Sequence, residues 1–204
     1  MSTYDELESP QTKADFENLI NKSIQHRLQW MQEGGWAELY NKNGVVIEYN
    51  DVNWSTIKAI KTTTIFDNVS TQRMVELLYS PKQEEYKKIM SDLMGIECLK
   101  NVSDDICIEM SIYKAPPGIK NRSFLTVTGK VKQDNGAILI VSESINHNDV
   151  PHTSKTIRGL LRTAILLIPR KDNKVQMIAL SHINPMGSIP PAIINIFKSK
   201  VSDW

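Results

Sequence analysis

The chain has 204 residues, a formal net charge of +1, four histidines and two cysteines. Balanced charge speaks against a surface built to coat nucleic acid, and two cysteines, Cys98 and Cys107, do not make a disulfide framework. No stretch approaches the roughly 18 uninterrupted apolar residues that a membrane span needs. Residues 1–15 are polar and acidic, without the apolar run of a signal peptide, and neither Met1-Ser2 nor Ser202-Asp203-Trp204 carries a lipidation motif. These features predict a cytoplasmic protein in a reducing setting, with a length suited to one large domain.

Residues 1–11 read as a disordered lead, and 12–204 as one domain. From Thr12 the apolar residues Phe16, Leu19, Ile20, Ile24, Leu28 and Met31 recur near helical period until Gly34-Gly35 stops the helix. The period then changes to alternation. Residues 36–40 and 45–49, joined at Asn41-Lys42-Asn43-Gly44, predict a hairpin, and 56–66 a third strand. Ser70 caps a short helix reaching Tyr79, and Pro81 opens another that ends near Leu93. From Gly95 onward six strands follow over residues 96–102, 106–114, 123–133, 138–145, 156–169 and 174–183. The last runs out through Asn184-Pro185-Met186-Gly187-Ser188 into a helix capped by Ser188, with Ile193, Ile194, Ile196, Phe197 and Val201 on one face. Successive strands with short turns make an antiparallel meander, so the fold class is α+β. A sheet of about nine strands curls; here it is expected to wrap around the long C-terminal helix and leave a hollow between them.

Four segments carry a resemblance. Asn121-Arg122-Ser123-Phe124-Leu125 opens a strand, and Ser142-Glu143-Ser144-Ile145 closes one ahead of Pro151. Thr156-Ile157-Arg158 opens the next, and Asn184-Pro185-Met186-Gly187-Ser188-Ile189-Pro190 precedes Ile193-Ile194-Asn195. In that order the segments resemble, respectively, the Arg-Asp-Phe/Tyr-Val strand start, the serine-rich strand end, the Val-Ile-Arg element and the Asp-Pro-Gly-Gly-x-Ile-Pro…Leu-Ile-Asn segment of the START (steroidogenic acute regulatory protein-related lipid transfer) domain. The similarity runs from about residue 12 to the end. It implies a helix-grip fold that encloses one lipid. Two departures bear on the ligand. Tyr86-Lys87 stands where the family has a Trp-Asp pair, whose aspartate helps hold the headgroup in phosphatidylcholine-binding members. Glu109 falls where sterol-binding members carry a buried acid, while the arginine that accompanies it falls on Thr128.

On the strand over 106–114 the residues Ile106, Ile108, Met110 and Ile112 share one face, and Cys107, Glu109, Ser111 and Tyr113 the other. By the residues alone, the isoleucines face inward and Glu109 faces water. The resemblance turns the polar face toward a lipid cavity, with Tyr113, Phe124, Thr126 and Thr128 on matching parity and Ile193, Ile194 and Phe197 supplied by the final helix. Arg158 and Arg162 lie in an otherwise apolar strand, so each requires a partner, either a structural ion pair or a charged headgroup. Pro116, Pro117 and Ile119 lie in the connection that guards the tunnel mouth in this family, and Trp204 suits a membrane interface. His26, His147, His152 and His182 are scattered, and neither cysteine has a metal partner at useful spacing. The expectation is a non-enzymatic, monomeric lipid-binding or lipid-transfer protein without cofactor or metal. It holds one sterol or phospholipid, touches membranes transiently and binds no nucleic acid. A lipid-sensing adaptor is the alternative, followed by a small hydrolase or cyclase on a helix-grip scaffold.

Overall fold

The computed structural model of the chain describes residues 7–53, 55–79 and 82–187. Helix α1 (Lys13–Gln32) opens on a reciprocal cap: the Thr12 hydroxyl accepts from the Asp15 N–H at 3.2 Å, and the Asp15 carboxylate accepts from the Thr12 N–H at 2.8 Å. Those bonds stabilise the charged carboxylate and hold the Asp15 pKa below its ordinary value. The hairpin β1 (Ala37–Lys42) and β2 (Val45–Val52) turns at Asn43 and Gly44, both at positive φ (53° and 77°). That pair of angles suits Asn-Gly and matches the twist of the strands it joins. Next come β3 (Ser55–Asp67) and α2 (Thr71–Leu78), whose cap Ser70 accepts from the Arg73 N–H at 3.1 Å. Helix α3 (Gln83–Ile89) is shorter than the spacing predicts, because Leu93 is already paired with Tyr113 as the first residue of β4 (Leu93–Ser103). Strands β5 (Ile106–Tyr113), β6 (Arg122–Lys132) and β7 (Ile138–Ser144) follow.

The single strand expected over 156–169 is split by Gly159 into β8 (Ile157–Arg158) and β9 (Leu160–Arg170). A Cβ at Gly159 would stand 2.4 Å from the Phe124 ring, so only glycine lets that ring lie against the backbone. Strand β10 (Lys174–Asn184) completes a curved sheet of ten strands rather than nine, in the order β1-β2-β3-β10-β9-β7-β6-β5-β4, with β8 parallel to the start of β6. The helix expected after Ser188, with Ile193, Ile194 and Phe197, lies outside the described residues, as does Trp204 beyond it. Of the expected lead, residues 7–11 are described, and the Glu8 carbonyl accepts from the Asn146 N–H at 3.0 Å, which ties the chain to the end of β7.

Register sorts the side chains onto two faces. Ile106, Ile108, Leu125, Val127, Leu139, Val141, Ala164 and Leu180 turn toward α1 and pack with its Phe16, Leu19, Ile20, Ile24 and Trp30. Each Val, Leu, Ile or Phe among them, fully buried, stabilises the fold by about 1.5–3 kcal/mol. At Gly129 the helix comes close enough that a Cβ would stand 2.7 Å from Ile20 Cγ2. On the opposite face Met74 and Val75 of α2 pack on Ile140, Leu167 and Val175. Between that cluster and the start of β6 lies the ground of interest.

Candidate functional site

Period-two alternation places Cys107, Glu109, Ser111 and Tyr113 of β5 on the face turned away from α1. Directly across on β6 stand Thr128 opposite Cys107, Thr126 opposite Glu109 and Phe124 opposite Ser111. All of the β5 and β6 residues expected to share a site are therefore neighbours on one surface. Glu109 is its centre. It is half-buried, desolvation pushes its carboxyl up to about 7, and among the described residues it makes no hydrogen bond or ion pair. The Tyr113 ring meets Phe124 edge-on, centroids 5.7 Å apart at 76°. Burial raises the Tyr113 phenol, as do the nearby Tyr86 and Glu109. Cys107 is wholly buried and its thiol is pushed up to about 12 by burial, with Glu109 and Cys98 adding to it. Cys98 lies opposite Glu109 on β4, and its thiol donates to Asn101 Oδ1 at 3.4 Å. Both cysteines are free. Thr128 and Ser142 share a hydrogen bond of 2.9 Å.

Tyr86, which the sequence marks only as a departure from the family pattern, lies near Glu109 and Tyr113. On α3 its phenol is raised first by burial and then by the charge of nearby Glu109. Tyr86 is the lone aromatic in a short helix whose other residues are Gln, Glu, Lys and one Ile.

The two candidate arginines lie apart from Glu109. Arg162 lies on the α1 face, where its Nε donates to Glu143 Oε1 at 2.8 Å. The other oxygen of Glu143 accepts from the Arg27 guanidinium of α1 and from the Ser23 hydroxyl at 3.4 Å. A buried arginine needs a counter-charge, and this carboxylate serves two. Arg27 also lies over the Trp30 ring, 5.7 Å from its centroid. His182 stands beside Arg162 in register, with its Nε2 3.2 Å from the Ile57 carbonyl. Burial and then Arg162 push the His182 imidazole down to about 4, so it stays neutral there. Arg158 is buried at β8, and its guanidinium reaches the Val150 and Pro151 carbonyls at 3.5 Å each. It holds the loop after β7. Both side chains are thus engaged by protein groups away from Glu109.

Pro116, Pro117 and Ile119 form one tight turn, with Gly118 at φ 84° and the Ile119 N–H donating to the Pro116 carbonyl at 3.1 Å. Pro117 is exposed, whereas Pro116 and Ile119 are half-buried. Arg122, quoted in sequence only as part of a motif, is a clamp. Its guanidinium donates to the carbonyls of Pro185 (2.9 Å), Met186 (3.1 Å) and Lys120, tying this turn to the chain leaving β10. Among the described residues no group of three His, Cys, Asp or Glu side chains could hold a metal, and no helix is long and apolar enough to cross a membrane.

The comparisons with known proteins agree with this architecture. The START domain family model matches residues 21–201. The solved structure of human StAR-related lipid transfer protein 5 superposes with a TM-score of 0.82 at 14% identity, covering 92% of this chain and 91% of that one. Human STARD10 gives 0.77 at 19% identity over 97% and 78%, respectively. The STAR-related lipid transfer protein from Xanthomonas axonopodis gives 0.67 at 22% identity over 77% and 86%. No curated protein sequence matches the chain significantly. At these identities the solved structures speak for the fold, while the family model spans most of the sequence: the chain belongs to the START domain family.

Proposed function

We propose that this protein binds one lipid on the sheet face turned away from α1 and carries it between membranes as a monomer, without chemical conversion, in the reducing cytoplasm. The carrying observation is Glu109. Its carboxyl is half-buried, desolvation raises its pKa, and a ligand hydroxyl or amine that bonds it offsets that desolvation. Tyr86, Ser111, Tyr113, Phe124, Thr126 and Thr128 surround it, and Ile193, Ile194 and Phe197 would cover the tail from the final helix. A hydroxyl-bearing lipid such as a sterol fits this surface better than a phospholipid, because Arg158 and Arg162 are already bound to protein groups. Loading and release would take place at a membrane, with Pro116, Pro117, Ile119 and Trp204 at the contact and the final helix parting from the rim. Between membranes the lipid stays bound, since each Å² of exposed tail costs on the order of 25 cal/mol. START-family membership and the lipid transfer proteins among the structural neighbours support this reading.

The test is extraction of labelled lipid from liposomes, joined to mass spectrometry of lipid that copurifies from the native source. Stoichiometric lipid and transfer between vesicles are expected. Recovery of none, with no extraction, refutes the proposal. Glu109→Ala should lower sterol uptake about tenfold, the loss of one hydrogen bond to a charged or buried group; unchanged uptake would remove Glu109 as the anchor.

A further inference from the structure

The face turned away from α1 holds two thiols that lipid binding does not use. Cys98 stands opposite Glu109 and Asn101 opposite Cys107, so these four side chains share one face. Between the two pairs an extra residue, Leu99, makes a bulge in β4. In a regular ladder Cys98 and Cys107 would be diagonal neighbours about 7–8 Å apart, at the outer limit of what a disulfide spans. A bulge bends and twists its strand. Cys98 is turned along that bend: its thiol donates to Asn101 Oδ1 at 3.4 Å, which brings the sulfur to the residue paired with Cys107. The Cys107 thiol registers the approach. It is raised by burial, then by the charges of Glu109 and Cys98, and it is hydrogen-bonded with both Tyr79 and Cys98. Exposure divides the roles. Cys98 is half-buried and open to a small oxidant, whereas Cys107 has no exposure and meets only what Cys98 has become.

We propose that Cys98 and Cys107 are an oxidative modification site, closing to a reversible disulfide when a peroxide reaches Cys98. The Cys98 thiolate attacks one peroxide oxygen, the O–O bond breaks, and the departing hydroxide takes up the thiol proton as water. Cys107 then attacks the sulfur of the Cys98 sulfenic acid. The S–O bond breaks, and that oxygen leaves as a second water with the Cys107 proton. Two thiols have lost two electrons, and one peroxide has gained them. A dithiol reverses the oxidation, the more readily because a bridge drawn across a diagonal is strained. The bridge fastens one wall of the lipid site. Strand β4 is the sheet edge, its ladder to β5 is interrupted by three bulges, and it carries α3, since the Ile96 N–H donates to Gln83 Oε1 at 3.3 Å. Tyr86 of α3 lies near Glu109. Pinning β4 to β5 therefore fixes α3 beside Glu109 and slows the entry of lipid there. That consequence rests on the lipid-binding reading above; the bridge itself does not.

The test treats the reduced full-length protein with hydrogen peroxide and reads its intact mass. Trypsin, which cuts after Lys88, Lys100 and Lys114, then separates the two cysteines into residues 89–100 and 101–114. A loss of about 2 Da is expected, with those two peptides joined by a bond that dithiothreitol opens. Cys98→Ser, verified as folded by circular dichroism, should keep its mass, because peroxide does not reach Cys107. A gain of about 32 Da on Cys98 beside a free Cys107 overturns the pair, as does a disulfide between two protein molecules. Uptake of a labelled sterol from phosphatidylcholine vesicles should slow several-fold in the bridged protein and recover with dithiothreitol. Unchanged uptake by the bridged protein overturns its hold on the site and leaves lipid binding intact. No uptake even before oxidation overturns lipid binding, and the peptide map still decides the bridge.

Discussion

Replacing Glu109 with glutamine keeps the size of the side chain and removes its charge, which isolates the electrostatic cost of burial. The Glu109 carboxyl is held at about 7, against an ordinary 4.5. A carboxyl whose folded value lies above its unfolded value contributes stability that is fully present below about pH 4.5 and is lost as pH rises through about 7. With about 1.36 kcal/mol for each pH unit between those values, the ionised side chain costs the fold about 3 kcal/mol above neutrality. In lipid-free protein, Glu109→Gln should therefore be more stable than the parent by about 3 kcal/mol at about pH 8 and of equal stability at about pH 4. For a domain of this size each kcal/mol moves Tm by about 2–4 °C, so thermal unfolding should separate the two by about 6–12 °C at the higher pH. Urea unfolding at both pH values supplies the free energies directly. An offset that is the same at both pH values would mean a packing effect, and no offset at the higher pH would mean a solvated carboxylate. Either result refutes the reasoning.

Glu143→Gln leaves the Arg27 and Arg162 guanidiniums without their shared counter-charge and should cost about 3–5 kcal/mol in urea unfolding. A loss under about 1 kcal/mol would mean that water already serves both. Gly129→Ala pushes a methyl group into Ile20 and should cost about 1–3 kcal/mol, with partial rescue by Ile20→Val in a double-mutant cycle. At neutral pH a maleimide should label the half-buried Cys98 in the folded protein and spare Cys107, whose thiol is held at about 12 with no exposure. Two rapid modifications by intact-mass analysis, before any urea is added, would contradict that placement.

The strands were readable because turns with special backbone angles select their residues. Asn43, Gly44, Gly136, Asp172 and Asn173 all sit at positive φ, and each falls in a turn that composition alone marks out. What composition missed depends on contacts distant in sequence. The break between β8 and β9 arises from the Phe124 ring against Gly159, and nothing local in residues 156–169 announces it. Helix α3 stops short of the predicted end because Leu93 pairs with Tyr113, a choice made by β5. Within the site, parity groups Glu109 with Thr126 and Thr128, but which side of the strand faces α1 is decided by the packing of Ile106 and Ile108 with Ile20 and Ile24. Arg162 in an apolar strand declared a need for a partner. Glu143 lies directly opposite it on β7, whereas Arg27, which shares that carboxylate, comes from the first helix.

That last contact bears on how the protein is made. Arg27 and Glu143 are 116 residues apart, and the strands that receive α1 are all synthesised long after it. At about 5–20 residues per second, a ribosome leaves the first helix waiting on the order of 10 s for its sheet. Through that interval Phe16, Leu19, Ile20 and Ile24 form an apolar stripe with nothing to cover it, the kind of surface that recruits chaperones. Docking then closes a loop of more than half the chain in one step, so slow folding with a late commitment of the N-terminal helix is built into this order of elements.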